Sequence, residues 1–283
     1  MKKISIFQRE DNKNATAWNK KIRDWVGEKY PEIKIIALSK DKNSEKPDVI
    51  IVLGGDGTII EVVQEYRQIK VPILGLNLGH VGFMASVRDE KDFFNGLENF
   101  FEGKYRIDER MMITSEIERA GKKIKTVDAM NEITVQNLFG MVSLKVEIEN
   151  HPFQYIRGNG LIVSTASGST AYNLSAHGPI VMPEMKCFII TEVMDHNIPT
   201  PSVILKENVE IKIVVEDFRK IDRFIVSKTN EKADVIIASD GIEAIPLQKG
   251  DEIIIRKSKN KICFVELEKN YFFKSLQEKF AFK

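Results

Sequence analysis

One carboxylate in this sequence stands between glycines, in the run Gly54-Gly55-Asp56-Gly57-Thr58. The apolar stretch Val49-Ile50-Ile51-Val52-Leu53 leads into it, and an amphipathic segment starting at Ile59 follows. A strand that ends in glycines and turns into a helix is where open α/β sheets place their ligands. Glycine lets the backbone approach a ligand closely, and the unpaired N–H groups at a helix start suit phosphate. Asp56 itself repels phosphate, so its chemistry is to hold a metal, orient a ribose or remove a proton. The run is not a Walker A loop, because G-x-x-x-x-G-K-[ST] occurs nowhere in the chain, and it lacks the spacing of a dinucleotide fingerprint. As a bare string it also fits a tight turn with Thr58 capping the helix.

Three more clusters carry polar groups in apolar settings. Asn77-Leu78-Gly79-His80-Val81-Gly82-Phe83 follows the strand Pro72–Leu76, so it belongs at the same sheet edge as Asp56. There Phe83 either packs in the core or walls an aromatic ring such as adenine. Asn131-Glu132 puts an amide and a carboxylate within an apolar strand, one to line a cleft, unless both sit on an exposed edge. Gly158-Asn159-Gly160 opens a strand that runs into Ser164-Thr165-Ala166-Ser167-Gly168-Ser169-Thr170-Ala171-Tyr172. Ser167 or Ser169 can cap the following helix, but this many hydroxyls also suit ribose and amide groups. The four histidines, His80, His151, His177 and His196, show no metal-ligand spacing. No G-x-S-x-G elbow exists for a hydrolase. Glu61, Glu65, Arg67 and Lys70 read as a solvated helix face.

The elements that must position these residues alternate over the first hundred positions. Strands are expected at Ile4–Phe7, Ile33–Leu38, 48–53 and Pro72–Leu76. A helix is expected over Asn14–Lys29, capped by Asn14, with Trp18, Ile22, Trp25 and Val26 on its buried face. Others are expected over Ile59–Arg67 and over residues 90–102, with Phe93, Phe94, Leu97, Phe100 and Phe101 on one side. Residues 39–47 read as a loop. This order implies a parallel sheet with helices on both faces. After Tyr105 strands dominate, among them 144–148, 209–213, 234–238, 252–256 and 261–267, with turns at Asp240-Gly241 and Gly250-Asp251 and one helical island at 168–176. Tyr271–Phe280 returns to helical spacing through Phe272, Leu276 and Phe280, a face that must be buried somewhere.

Length and composition exclude several classes. A chain of 283 residues has room for two cores. A net charge of +1 gives no electrostatic case for nucleic acid or a membrane surface. Cys187 and Cys263 are too few for a disulfide framework or a thiolate metal site, and read as packing residues. No apolar run is long enough to span a membrane, and no signal peptide is visible, so the expected compartment is the cytoplasm.

The four clusters, in this order, resemble the NAD kinase family, whose members use ATP or polyphosphate. The resemblance runs from about residue 4 to the end. The glycine–aspartate turn alone is shared with lipid kinases and, more loosely, with phosphofructokinases. Asn131-Glu132, together with Gly168-Ser169-Thr170-Ala171-Tyr172-Asn173-Leu174-Ser175-Ala176-His177-Gly178-Pro179-Ile180, is specific. The resemblance implies an α/β domain with a parallel, Rossmann-like sheet over residues 1–104 and a β-rich layered domain over 105–267. A C-terminal helix within 268–283 then packs back on the first domain. It implies phosphorylation of the 2′-hydroxyl of the adenosine ribose of NAD to give NADP, with a divalent metal, expected to be magnesium on the donor phosphates, and a homodimer or homotetramer. By position, Asp56 is the base. Gly54, Gly55, Gly57 and Thr58 form the phosphate-donor loop. Gly57, Phe83, Asn131, Glu132, Asn159, Thr170, Ala171, Tyr172 and Ser175 bind NAD. Two departures stand out. The family has Asp where this chain has Asn159, which alters the contact near the nicotinamide end. A Pro- and His-rich stretch is replaced by Ile190–Asn197, which reshapes a loop. The competing readings are an NAD(P)-binding regulatory protein on the same scaffold, suggested by Asn159, and a lipid or sugar kinase sharing only the glycine–aspartate turn.

Overall fold

The computed structural model describes residues 2–41, 43–80, 82–137, 139–196, 200–221, 224–226 and 231–280. Val81 and Asn197, each part of a stretch read above, lie outside the described residues. The chain divides into one unit of Met1–Arg110 with Lys261–Lys283 and a second of Met111–Asn260.

The first unit begins β1 (Lys3–Gln8), α1 (Lys13–Lys29), β2 (Lys34–Ile35), β3 (Val49–Leu53), α2 (Asp56–Tyr66), β4 (Ile73–Leu76) and α3 (Phe93–Phe101). The strands run parallel in the order β2-β1-β3-β4, with Ile4 opposite Val49 and Ile50 opposite Ile73. All five β3 side chains are buried. A strand covered on both faces reads as an unbroken apolar run rather than an alternation. Leu53 pairs with Leu76, so the glycine turn and the loop from Asn77 leave the sheet at the same edge, as the sequence implies. Ile22 and Val26 bury the inner face of α1, while Trp18 and Trp25 are half-buried against Phe93 and Phe94, with ring centroids 4.8 and 5.2 Å apart. The cap of α1 is Asn12, whose Oδ1 accepts the Ala15 N–H at 3.0 Å. Asn14, expected in that place, instead donates to Glu90 at 2.9 Å. The strand expected over Ile33–Leu38 shrinks to the two residues of β2, which pairs with β1 only.

Past β5 (Arg106–Arg119) the second unit contains β6 (Lys122–Ala129), β7 (Glu132–Asn137), β8 (Val142–Ile148) and β9 (His151–Thr165). A 3-10 turn at Ser167–Thr170 and the single turn α4 (Tyr172–Ser175) follow. Then come β10 (Cys187–Asp195), β11 (Val203–Lys206), β12 (Ile211–Phe218), β13 (Phe224–Val226), β14 (Glu231–Ala233), β15 (Val235–Ser239) and β16 (Glu243–Leu247). The ladder is antiparallel in the order β16-β15-β7-β9-β8-β12. Its core is the inward set of each strand, for example Leu144 and Val146 beside Ile211 and Ile213. Ile190–Asp195, expected as a reshaped loop, belongs to β10 and pairs with β9 as far as Asp195 opposite Gly158. Its apolar, β-branched start suits a strand better than a loop.

β17 (Glu252–Glu266) is one strand where the sequence reads as two. The polar stretch from Arg256 to Lys261 hides the continuity, yet Ile255 pairs with Ile211 at one end and Phe264 with Ile73 of β4 at the other. α5 (Tyr271–Phe280) closes the chain within the first unit. Arg88 anchors it, donating to the Tyr271 carbonyl at 2.7 Å and to Ser275 Oγ at 2.8 Å, with its guanidinium 4.6 Å above the Tyr271 ring. Tyr271 and Ser275 are the buried residues of α5, and Phe272, Leu276 and Phe280 are half-buried. No helix among the described residues is long and apolar enough to cross a membrane.

Candidate active site

Asp56 is the first residue of α2, capped by Gly55. Thr58, the residue expected to cap, instead buries its side chain under Gly54, where a Cβ would lie 2.4 Å from Thr58 Oγ1. The carboxylate of Asp56 turns toward the loop after β4. Its Oδ2 accepts the Phe83 N–H at 2.8 Å and its Oδ1 the Met84 N–H at 3.2 Å. Only glycine fits at position 82, because a Cβ there would fall 2.2 Å from Asp56 Oδ1. Burial raises the Asp56 carboxyl above its ordinary range. The Phe83 and Met84 amides, and then the charges of Lys279 and Arg110, pull it back. No side chain approaches the Cβ position of Gly57, and that of Gly55 meets only Asn77 Oδ1 at 3.8 Å. The turn is therefore open to a ligand. Phe83 is buried and packs under α5, with Phe272 and Phe280 at ring distances of 5.8 and 6.5 Å.

The second unit gathers Asn131 and Glu132 at the start of β7, which lies between β15 and β9 and so is not an exposed edge. Both residues are buried, and Asn131 precedes the strand rather than lying in it. The hairpin from β15 to β16 turns at Asp240-Gly241, both with positive φ, 47° and 67°. That geometry suits Asp followed by Gly. It aims the Asp240 carboxylate at three backbone donors: Met130 N–H at 2.8 Å, Asn131 N–H at 2.8 Å and Glu132 N–H at 3.1 Å. Asp240 thus fixes the backbone of the pair. The sequence shows it only as half of a turn, and nothing local links it to residue 131. Burial, then the nearby Asp240 charge, pushes the Glu132 carboxyl up to about 8, against the Tyr172 amide, which lowers it. Asn131 Oδ1 and Glu132 Oε2 are buried without any hydrogen-bond partner. Leaving such atoms unpaired costs about 1–3 kcal/mol each, so this pair is built for a donor-bearing ligand.

The hydroxyl-rich run splits into two roles. Ser164, Thr165 and Ser169 are consumed by the fold: Thr165 Oγ1 donates to the Met130 carbonyl at 2.7 Å, and Ser169 Oγ bridges the Val181 N–H and C=O. Neither Ser167 nor Ser169 makes a side-chain cap. Thr170 and Ala171 are half-buried, while Tyr172 and Ser175 are exposed. The Tyr172 hydroxyl accepts from Gln136 Nε2 at 2.6 Å. Asn159 donates to the Gly140 carbonyl at 3.1 Å and the Asn137 carbonyl at 3.5 Å. An ionised Asp has no proton to donate there, so the departure at 159 braces the connection from β7 to β8. Among the described residues no group of three or more His, Cys, Asp or Glu gathers, and all four histidines are exposed.

Comparison with known proteins agrees with this arrangement. Residues 4–105 match the family model of the ATP-NAD kinase N-terminal domain and residues 130–267 that of the ATP-NAD kinase C-terminal domain. The NAD kinase of Lachnoclostridium phytofermentans is 33% identical over 237 residues, covering 82% of this chain and 80% of the relative. Two solved structures share the fold. Yeast NADH kinase, complexed with NADH, has a TM-score of 0.84 at 20% identity over 100% of this chain and 88% of its own. An NAD kinase from Archaeoglobus fulgidus, in complex with ATP, has a TM-score of 0.74 at 22% identity over 99% of each chain. The resemblance carried by the aspartate turn, the Asn131-Glu132 pair and the hydroxyl-rich run is thereby borne out, and the chain belongs to the NAD kinase family.

Proposed function

We propose that the protein transfers the terminal phosphoryl group of ATP or polyphosphate to the 2′-hydroxyl of the adenosine ribose of NAD, giving NADP. Membership of the family supports NAD as acceptor and ATP as donor. The unpaired buried oxygens of Asn131 and Glu132 are the observation that carries the acceptor assignment to particular residues. Nucleosides offer amine and hydroxyl donors, which satisfy such acceptors. Thr170, Ala171, Tyr172 and Ser175 follow Thr165, whose N–H donates to the Asn131 carbonyl at 2.8 Å, and line the rest of the NAD pocket.

Asp56 accepts the proton of the 2′-hydroxyl. The hydroxyl oxygen forms a bond to the terminal phosphorus while the bond from that phosphorus to its bridging oxygen breaks, and ADP or the shortened polyphosphate leaves. Phosphoryl transfer asks mainly for alignment and charge neutralisation. The two amides fix the direction of the carboxylate, and burial makes it a better proton acceptor than an exposed aspartate. Gly54, Gly55, Gly57 and Thr58 give the donor phosphates room at the start of α2. Asp56 would be the carboxylate that faces magnesium carried on those phosphates, since this ion binds through one or two carboxylates plus substrate oxygens. When bound it would offset the charge on the transferred group. We place the protein in the cytoplasm as a homodimer or homotetramer.

The test is incubation of the purified protein with Mg-ATP and NAD, read by a dehydrogenase specific for NADP. NADP accumulation is expected. NAD binding without NADP across several metals and donors would overturn the enzyme in favour of a nucleotide sensor.

A further inference from the structure

The glycine–aspartate turn lacks the lysine that a P-loop brings to its phosphates, so the positive charge must come from elsewhere in the first unit. Three cations there bear on the turn and its loop. Arg88 is bound to Glu278, the Tyr271 carbonyl and Ser275. Arg110 is paired with Asp108 and lies over the Phe264 ring, 5.6 Å from its centroid. Lys279, in the last turn of α5, is different. Its side chain is exposed, and its ammonium sits 4.9 Å above the centroid of Phe83. That residue's N–H holds Asp56. No carboxylate among the described residues pairs with Lys279, and its charge is the largest ionic influence on Asp56. The Cβ positions of Gly55 and Gly57 leave the adjacent turn open.

We propose that Lys279 binds the phosphates of the donor nucleotide, so that α5 supplies the cation the glycine turn omits. The assignment rests on the kinase reading above. An aromatic face holds an ammonium without neutralising it, which keeps the charge available to an arriving polyphosphate chain. An exposed lysine on a flexible stem suits this task, because it meets phosphate as a point charge without the fixed fork of arginine.

Steady-state kinetics with the full chain test it. Lys279→Ala is expected to raise the KM for ATP roughly 10- to 100-fold, the worth of one charge-assisted hydrogen bond, while the KM for NAD stays put. Lys279→Arg is expected to restore most of the loss. Lys274→Ala, on the same helix and paired with Glu268, is expected to leave both constants unchanged. An unaltered KM for ATP in Lys279→Ala, or equal rises for ATP and NAD, overturns the proposal. Calorimetric binding of Mg-ATP makes the same comparison without turnover. A wild type that binds ATP through Lys279 yet forms no NADP keeps this assignment and loses the kinase reading, whereas an active wild type indifferent to Lys279 does the reverse.

Discussion

The backbone N–H of Phe83 meets Oδ2 of Asp56 at 2.8 Å, so the candidate base is aimed by a loop 27 residues further along the chain. This bond separates the shape of the aspartate from its charge. Asp56→Asn keeps the shape and loses the proton acceptor. We expect NAD binding to persist and turnover to fall roughly 100- to 10,000-fold, the usual worth of general base catalysis. The asparagine amide must also turn its NH2 toward one of the two N–H donors, costing about 1–3 kcal/mol, so melting is measured beside the kinetics. A variant with full activity would remove Asp56 from the chemistry.

Gly82→Ala tests the same relationship from the other side. The new methyl group would fall 2.2 Å from Asp56 Oδ1, so the carboxylate or the loop must move. A displacement of about 1 Å in a reacting group costs on the order of 100-fold in rate. We expect kcat to drop by about that factor with a smaller change in the KM for NAD. Unchanged kcat would show that the seat of Asp56 on Gly82 is irrelevant to turnover.

The pH dependence of stability follows from Glu132. Its carboxyl is raised to about 8 in the folded protein, above its ordinary value of 4.5. Between those values the folded state holds a proton that the unfolded chain has released. The stabilisation is thus complete below about pH 4.5 and is lost as pH climbs through 8. Asp56, also raised, acts in the same direction. Urea unfolding of the ligand-free protein should show stability declining by about 1–4 kcal/mol over that window, and Glu132→Gln should flatten the decline. An identical slope in the variant would mean that Glu132 is ionised throughout. Near neutral pH Gln reproduces the protonated acid, with one acceptor oxygen and one donor, so the same variant is expected to keep NAD binding.

Residues whose environment is built by neighbours in sequence were legible in advance. Val49–Leu53 announces its burial through an unbroken apolar run, and α5 announces its amphipathic face through Phe272, Leu276 and Phe280. The family motifs also singled out Asp56, Asn131 and Glu132 as candidates. What stayed hidden depends on partners far along the chain. Asn12 rather than Asn14 caps α1, since either amide fits the local pattern and Asn14 is drawn to Glu90. The long β17 was concealed because exposed lysines break its alternation. Lys279 looks like any surface lysine until α5 is laid over Phe83. The brace made by Asn159 requires the carbonyls of Asn137 and Gly140 to converge, which no spacing reveals.

Asp240 is the sharpest case of a hidden residue, and it yields the last prediction. Its carboxylate accepts the N–H groups of Met130, Asn131 and Glu132, joining a hairpin turn to residues more than 100 positions earlier. Asp240→Ala leaves three amide donors without that acceptor. The loss is roughly 3 kcal/mol or more, at about 1–3 kcal/mol for each donor that water fails to reach. Removal of the Asp240 charge also relieves Glu132, one of whose two raising influences is that charge. Two readouts therefore move in known directions. The unfolding midpoint falls, and the pH at which Glu132-linked stability is lost shifts downward. Asp240→Asn keeps an acceptor oxygen for part of the set and should recover some stability while retaining the downward shift, since it too lacks the charge. NAD affinity should fall in both variants, because the Asn131 and Glu132 oxygens lose the backbone that aims them. If Asp240→Ala unfolds at the wild-type denaturant concentration and binds NAD normally, the turn does not support the site.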